Sequence, residues 1–403
     1  MKKPELLAPA GNWEMLVTAV KSGADAVYFG TDMLNMRANA RNFKSDDLKE
    51  IAVYCNENNV KAHLTVNSIV YNDELEALDD LIRQAKESGI AMIICWDMSV
   101  IERCIKYDIP FCISTQASIS NSAAVNMYKK LGAKRVVLAR ECTLDKIKEI
   151  KSSTDIEIET FIHGAMCVAV SGRCFMSHDA FGKSANRGEC IQPCRREYEI
   201  HDTEGDGSFI IGEDYVMSPK DLCTVKFIDQ LIAAGIDSFK IEGRKRSPDY
   251  IAKVISTYKK AVDLYFEGGL TDEIKKEMYS ELQKVYNRGF SDGFYFGTPD
   301  GDAFTDRYGS SATTKKSYAG KVVNYFTNKR VAHVKLESAG VKDNETILII
   351  GNKTGCIETK VQNMLIGGNA VSEANKGDDI TFVCTEDIRP RDKVYKIIDA
   401  GKK

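Results

Sequence analysis

From residue 5 to residue 266 the chain alternates short apolar runs with longer stretches whose apolar residues recur every three or four positions. The first pattern is that of buried parallel strands and the second that of helices covering them. Strands are expected at Glu5–Ala10, Ala26–Gly30, Lys61–Asn67, Ala91–Cys95, Phe111–Gln116, Arg135–Arg140, Glu157–His163 and Ser238–Gly243. Among the helices expected between them are Asp46–Asn58, Glu74–Ser88, Ser122–Leu131 and Pro248–Phe266. Eight strand–helix repeats predict an α/β fold, a (β/α)8 TIM-like barrel, rather than an open doubly wound sheet.

One interval breaks the rhythm. Between the seventh strand and its helix, near Pro219, the chain carries an insertion of roughly fifty residues, about 165–215, which in a barrel lies over the catalytic face. Residues 271–295 read as helical, so the barrel with its trailing helices is expected over 1–298. A Gly-, Ser-, Thr- and Asp-rich stretch, 299–316, reads as a linker. The remaining 317–403 show short alternating runs at Gly320–Tyr325, Val331–Leu336, Glu345–Ile350, Ile357–Met364, Asp379–Cys384 and Lys393–Ile398. These predict a small all-β, barrel-like domain.

Composition narrows the class. The formal net charge of −3 over 403 residues gives no global attraction to nucleic acid, so any RNA contact must come from local basic patches. The start lacks the apolar stretch of a signal peptide and no run reaches membrane-spanning length, so a cytoplasmic protein with no membrane partner is expected. In that compartment the 12 cysteines stay reduced.

Four of them stand out. Cys167, Cys174, Cys190 and Cys194 follow C-x6-C-x15-C-x3-C inside the insertion. Paired C-x2-C knuckles, the usual structural zinc signature, are absent, and Glu197 occupies the position where a radical-SAM triad would need its third cysteine. The spacing leaves a 4Fe–4S cluster, structural zinc and unligated thiols open. Cys223, in MSPKDLC, is the nearest spare thiol and competes with Cys194 as fourth ligand.

Strand alternation places His63, Thr65, Asn67, Glu157, Glu159, Phe161, His163, Lys240 and Glu242 on the inward face. Barrel interiors are usually aliphatic, so these residues form either a structural ion-pair network or a polar substrate pocket. In the pocket reading His163, Glu242 and Lys240 are the candidate catalytic groups. His63, Asn67, Gln116, Arg140 and Glu159 line the substrate site. Arg37, Arg41 and Arg244 project from the loops above and suit a carboxylate or phosphate substrate. Lys315, Lys316, Lys321, Lys329, Arg330 and Lys335 form a basic run at the start of the β region, read either as a solvated face or as an RNA contact. No H-E-x-x-H, G-x-S-x-G or P-loop occurs.

The run E-x-F-x-x-G-A-M-C-x-x-x-x-G-x-C-x-x-S, from Glu159 to Ser177, resembles the signature of peptidase family U32, the collagenase-like proteins. PELLAPAGNWEML, GADAVYFG, RGECIQPCRREY, SPKDLC and KIEGRKRSPDYI extend the resemblance across the barrel. It is strongest to the prephenate-dependent tRNA hydroxylation group, which forms 5-hydroxyuridine at the wobble position. The resemblance implies that Cys167, Cys174, Cys190 and Cys194 hold a 4Fe–4S cluster, that prephenate or a similar dicarboxylate is co-substrate, and that tRNA is the partner, with a paralogous U32 subunit as a further partner. It also implies two alternatives: a metalloprotease, as the family name says, and a non-catalytic iron–sulfur RNA-binding partner or ribosomal RNA hydroxylation protein.

Overall fold

The computed structural model describes residues 2–38, 42–170, 173–196, 198–201, 204–205, 208–211, 217–306 and 309–401. Eight parallel strands close into a barrel: β1 (Glu5–Pro9), β2 (Ala26–Phe29), β3 (Lys61–Thr65), β4 (Met92–Cys95), β5 (Phe111–Ile113), β6 (Arg135–Val137), β7 (Glu157–Gly164) and β8 (Ser238–Ile241). Each pairs with its successor, β8 pairs with β1, and Lys240 opposite Phe161 marks the β7–β8 seam that completes the ring.

The helices between the strands are α1 (Trp13–Lys21), α2 (Leu48–Glu57), α3 (Leu75–Ser88), α4 (Met98–Lys106), α5 (Ser122–Lys130), α6 (Leu144–Ser152), α7 (Ile228–Ala233) and α8 (Pro248–Phe266). Their starts follow from local chemistry. Asn12, Asp97 and Asn121 each accept a hydrogen bond from a first-turn backbone N–H that has no partner within the helix, and Pro248 opens α8 where no N–H is needed. Leu6, Leu64, Ile93, Val136, Ile158 and Phe239 are buried against these helices in one continuous core. No helix among the described residues is long and apolar enough to cross a membrane.

Three local features depart from the pattern. Residues 271–295 are not one helical stretch: a helix spans Asp272–Gln283, and the chain then turns into a two-residue strand, Phe290–Ser291. The β region begins its first strand at Thr314, inside the stretch read as linker. Ile357–Met364 is two strands, Gly355–Lys360 and Gln362–Ile366. Between them Val361 turns inward and bonds the backbone of Asn344 and Glu345 instead of continuing a ladder.

The β region is an antiparallel eight-stranded sheet around its own apolar core of Val322, Val334, Ile349, Phe382 and Val394. It leans on the outer helices of the barrel. Lys21 Nζ donates to Thr354 O at 3.0 Å, and Lys316 pairs with Asp249 at the start of α8. The described part of the insertion contains a short helix, Met176–Phe181, and just after the insertion a strand, Asp221–Cys223, pairs antiparallel with the end of β7.

Candidate functional site

Two layers of polar side chains fill the barrel, and they behave differently. In the lower one Glu159 accepts from Lys240 Nζ at 2.9 Å on one oxygen. Its other oxygen takes Arg135 Nη1 at 3.0 Å and Ser238 Oγ at 3.2 Å. Arg135 continues the chain to Glu157 at 2.7 Å and Glu5 at 2.6 Å. Burial works to raise the pKa of Glu159, but Lys240 and Arg135 outweigh it and hold the carboxyl low. His63 lies in the same layer with neither ring nitrogen hydrogen-bonded, and burial pushes its pKa down to about 4, so it is neutral. Neither His63 nor Glu159 borders the cavity above. For these two the substrate-lining expectation is corrected: they sit below the mouth, in or beside the ion-pair network.

Above this layer lies a cavity of about 150 Å³ at the carboxyl ends of the strands. Arg37 Nη2 donates to Glu242 Oε1 at 3.0 Å. Among the described residues the acceptors that hold Arg244 are neutral, Thr65 Oγ1 at 3.1 Å, Asn35 Oδ1 at 3.0 Å and Asn42 Oδ1 at 2.6 Å. Gly30 makes room for it, since a Cβ there would lie 2.5 Å from Arg244 Nη2. Arg140 lies flat over the Phe161 ring at 3.9 Å and donates to Ala165 O at 2.6 Å. Among the described residues, neither Arg140 nor Arg244 is hydrogen-bonded to a carboxylate, although Glu242 is near enough to act on both electrostatically. Asn67 and Gln116 also border the cavity, tied together through Ser114.

The cavity is therefore cationic. Burial would raise the pKa of Glu242, yet Arg37 and Arg140 hold it down to about 2. Burial lowers Arg244 to about 10 and also lowers Arg140, because desolvating each guanidinium outweighs the attraction of the nearby Glu242. An anionic ligand entering here would supply the missing charge.

His163 is not in this pocket. A register irregularity in the β7–β8 pairing sets His163 opposite Ile241, an outward residue, so the ring points away from the barrel. There it packs against Tyr250 and Tyr258 of α8 and against Phe290, with Nδ1 3.3 Å from the Tyr258 hydroxyl. The expected catalytic role of His163 is corrected on that ground. Arg41 lies outside the described residues.

The insertion brings Cys167, Cys190 and Cys194 to the wall of the cavity, and Cys167, Cys190 and Cys174 all act electrostatically on Cys194. Among the described residues no three Cys, His, Asp or Glu side chains gather around a point one metal ion could occupy. The four thiols are near enough to influence one another but do not converge on one point. Cys223 lies elsewhere: it pairs opposite His163, beside the Tyr258 hydroxyl at 3.8 Å, and does not border the cavity.

The insertion is anchored at Arg187, which pairs with Glu74 and stacks 4.7 Å from Tyr71. The next residue, Gly188, has φ +87°, and a Cβ there would lie 2.3 Å from Asn35 O. Sequence reasoning missed Arg135, Gln192 and Arg195, while Lys245, which follows Arg244, borders the cavity as its place after the eighth strand suggests. Arg135 shares the inward parity of its strand, and Arg195 directly follows Cys194, so both signals were present. In the β region Lys316, Lys321 and Lys335 are ion-paired with Asp249, Glu337 and Asp379, so half of the basic run is already neutralised.

Comparison with known proteins agrees with this architecture. A protein named collagenase from Porphyromonas gingivalis is 39% identical over 404 residues, covering 97% of each chain. The tRNA hydroxylation protein P1 of Bacillus subtilis is 39% identical over 368 residues, covering 89% of this chain and 87% of its own. A 23S rRNA 5-hydroxycytidine synthase of Escherichia coli is 36% identical over 302 residues, 72% of this chain and 45% of the relative. The family pattern itself matches residues 11–304. The chain belongs to peptidase family U32.

Proposed function

We propose that this protein is an RNA-hydroxylating enzyme that converts the wobble uridine of tRNA to 5-hydroxyuridine. Prephenate or a similar dicarboxylate is its co-substrate, and Cys167, Cys174, Cys190 and Cys194 hold a 4Fe–4S cluster. The observation that carries the reading is Arg140: a half-buried guanidinium with no hydrogen-bonded carboxylate among the described residues, on the cavity that Cys167, Cys190 and Cys194 also border. Two relatives named for RNA hydroxylation support the reaction class.

Arg140 and Arg244 are the natural grips for two carboxylates, since each keeps its charge without a paired anion. Glu242 fixes Arg37 at the rim, and Lys240 is held in place from below by Glu159. Four thiolates fit an iron–sulfur cluster, and neighbouring thiols that do not converge on one point suit a multi-iron group better than one zinc ion, whose ligands converge at about 2.3 Å. A bound cluster would supply a redox or Lewis-acid centre at the cavity wall.

Deleting the gene should remove 5-hydroxyuridine derivatives from bulk tRNA measured by mass spectrometry, with a paralogous family member deleted in parallel to exclude shared work. Unchanged levels in the double deletion would overturn the reading, and loss of 5-hydroxycytidine from ribosomal RNA instead would move the target to that RNA. The relative named collagenase favours a second reading, a peptidase. Gelatin degradation by iron-free protein would support it over the first.

A further inference from the structure

Beside the cavity lies a second, larger space of about 290 Å³. Gln192 and Arg195 border both, so the turn Pro193–Arg195 carries the Cys194 thiol on the wall of the first cavity and a guanidinium on the wall the two share. Arg195 is pinned by Ser218 Oγ at 2.9 Å, Pro219 O at 2.6 Å and Met166 O. Arg196 and Arg288 line the same space, and Arg246 stacks on its Tyr286 ring at 3.9 Å.

Charge is strongly one-sided here. Asp221 is the carboxylate paired with these arginines among the described residues, shared between Arg288 at 3.4 Å and Arg246 at 3.5 Å. Arg195 and Arg196 have no carboxylate partner among the described residues. On the outer side Arg196 stacks 4.6 Å from Phe181, and Phe181 and Ile191 are exposed. Guanidinium groups interleaved with aromatic rings hold a nucleic-acid strand by its phosphates and by stacking. In a chain whose net charge is −3, this is the local cationic patch an RNA substrate requires.

We propose that this pocket is an RNA-backbone subsite. Arg195, Arg196 and Arg288 hold a phosphate next to the target nucleotide, and Tyr286 gives the ring surface against its neighbour. The inference rests on the RNA reading above and assigns where the strand is gripped while one base enters the cavity.

The test is binding of bulk tRNA to the full chain, followed by fluorescence anisotropy across a salt series, for wild type, Arg196→Gln and the double variant Arg196→Gln/Arg288→Gln. The single variant should bind several-fold more weakly and lose about one unit of salt slope, the double about two, with prephenate binding unchanged. Circular dichroism melting checks the double variant, since Arg288 partners Asp221; Arg196 is exposed and decides the question alone if the double variant is unfolded. Wild-type affinity and slope in the folded variants would overturn the subsite. So would loss confined to stabilisation by inorganic phosphate, which would mark a small-anion site. If wild type binds neither tRNA nor ribosomal RNA at low salt, the RNA function itself fails.

Discussion

Arg37 and Glu242 meet across the barrel mouth, Nη2 to Oε1 at 3.0 Å, and this pair decides what Glu242 can do. With its pKa held at about 2, Glu242 is ionised at any working pH and cannot act as a general acid. Its unfolded value is about 4.3, so the folded state binds the proton less well and gains stability as pH rises through this window. The stability gap between wild type and Glu242→Gln should be full above about pH 4.3 and shrink as pH falls toward about 2. Urea unfolding at a series of pH values measures it; a gap that widens below pH 4 would contradict the assignment.

Among the described residues Arg140 forms no direct ion pair, and Glu242, which its charge also steadies, keeps its bond to Arg37 when Arg140 is removed. Arg140→Met should therefore keep or raise the thermal midpoint while weakening prephenate binding by about ten- to a hundredfold, the loss of a charge-assisted hydrogen bond. Isothermal calorimetry against melting temperature separates the two effects. A large fall in stability with unchanged binding would make Arg140 a structural residue.

Cys194 and Cys223 can be told apart by metal content. Protein purified without oxygen should carry roughly four iron and four sulfide per chain. Cys167→Ala, Cys190→Ala and Cys194→Ala should lose most of it, and Cys223→Ala should keep it. A colourless protein with one zinc would overturn the cluster.

His163 should matter for acid stability and not for turnover. Burial depresses its pKa to about 3, against about 6.5 unfolded, so its stability contribution is present above pH 6.5 and is lost as pH falls toward 3. His163→Phe should retain activity and resist acid unfolding better than wild type. A large fall in kcat with intact folding would return His163 to the chemistry.

The barrel was legible because each strand is a short apolar run and each helix keeps its period, and these signals survive without tertiary information. The cation-rimmed mouth was legible for the same reason, since Arg37, Arg140 and Arg244 follow strands whose ends can be counted. His163 was not, because one register irregularity in β7 reverses which face a side chain occupies, and strict alternation cannot see it. The split at Val361 was hidden similarly, by a buried valine that looks like strand whichever way the backbone turns.

Gly188 gives the site a mechanical property. It is where the thiol-bearing insertion touches the backbone of the arginine-bearing loop after β2, at a distance that admits no side chain. The thiol-bearing segment and the loop that carries Arg37 thus meet backbone to backbone at Gly188, in addition to the anchor at Arg187. Adding one methyl group there would push on the backbone of Asn35 and Arg37, so the spacing between the thiols and the cationic rim is set by the absence of a side chain at this one residue.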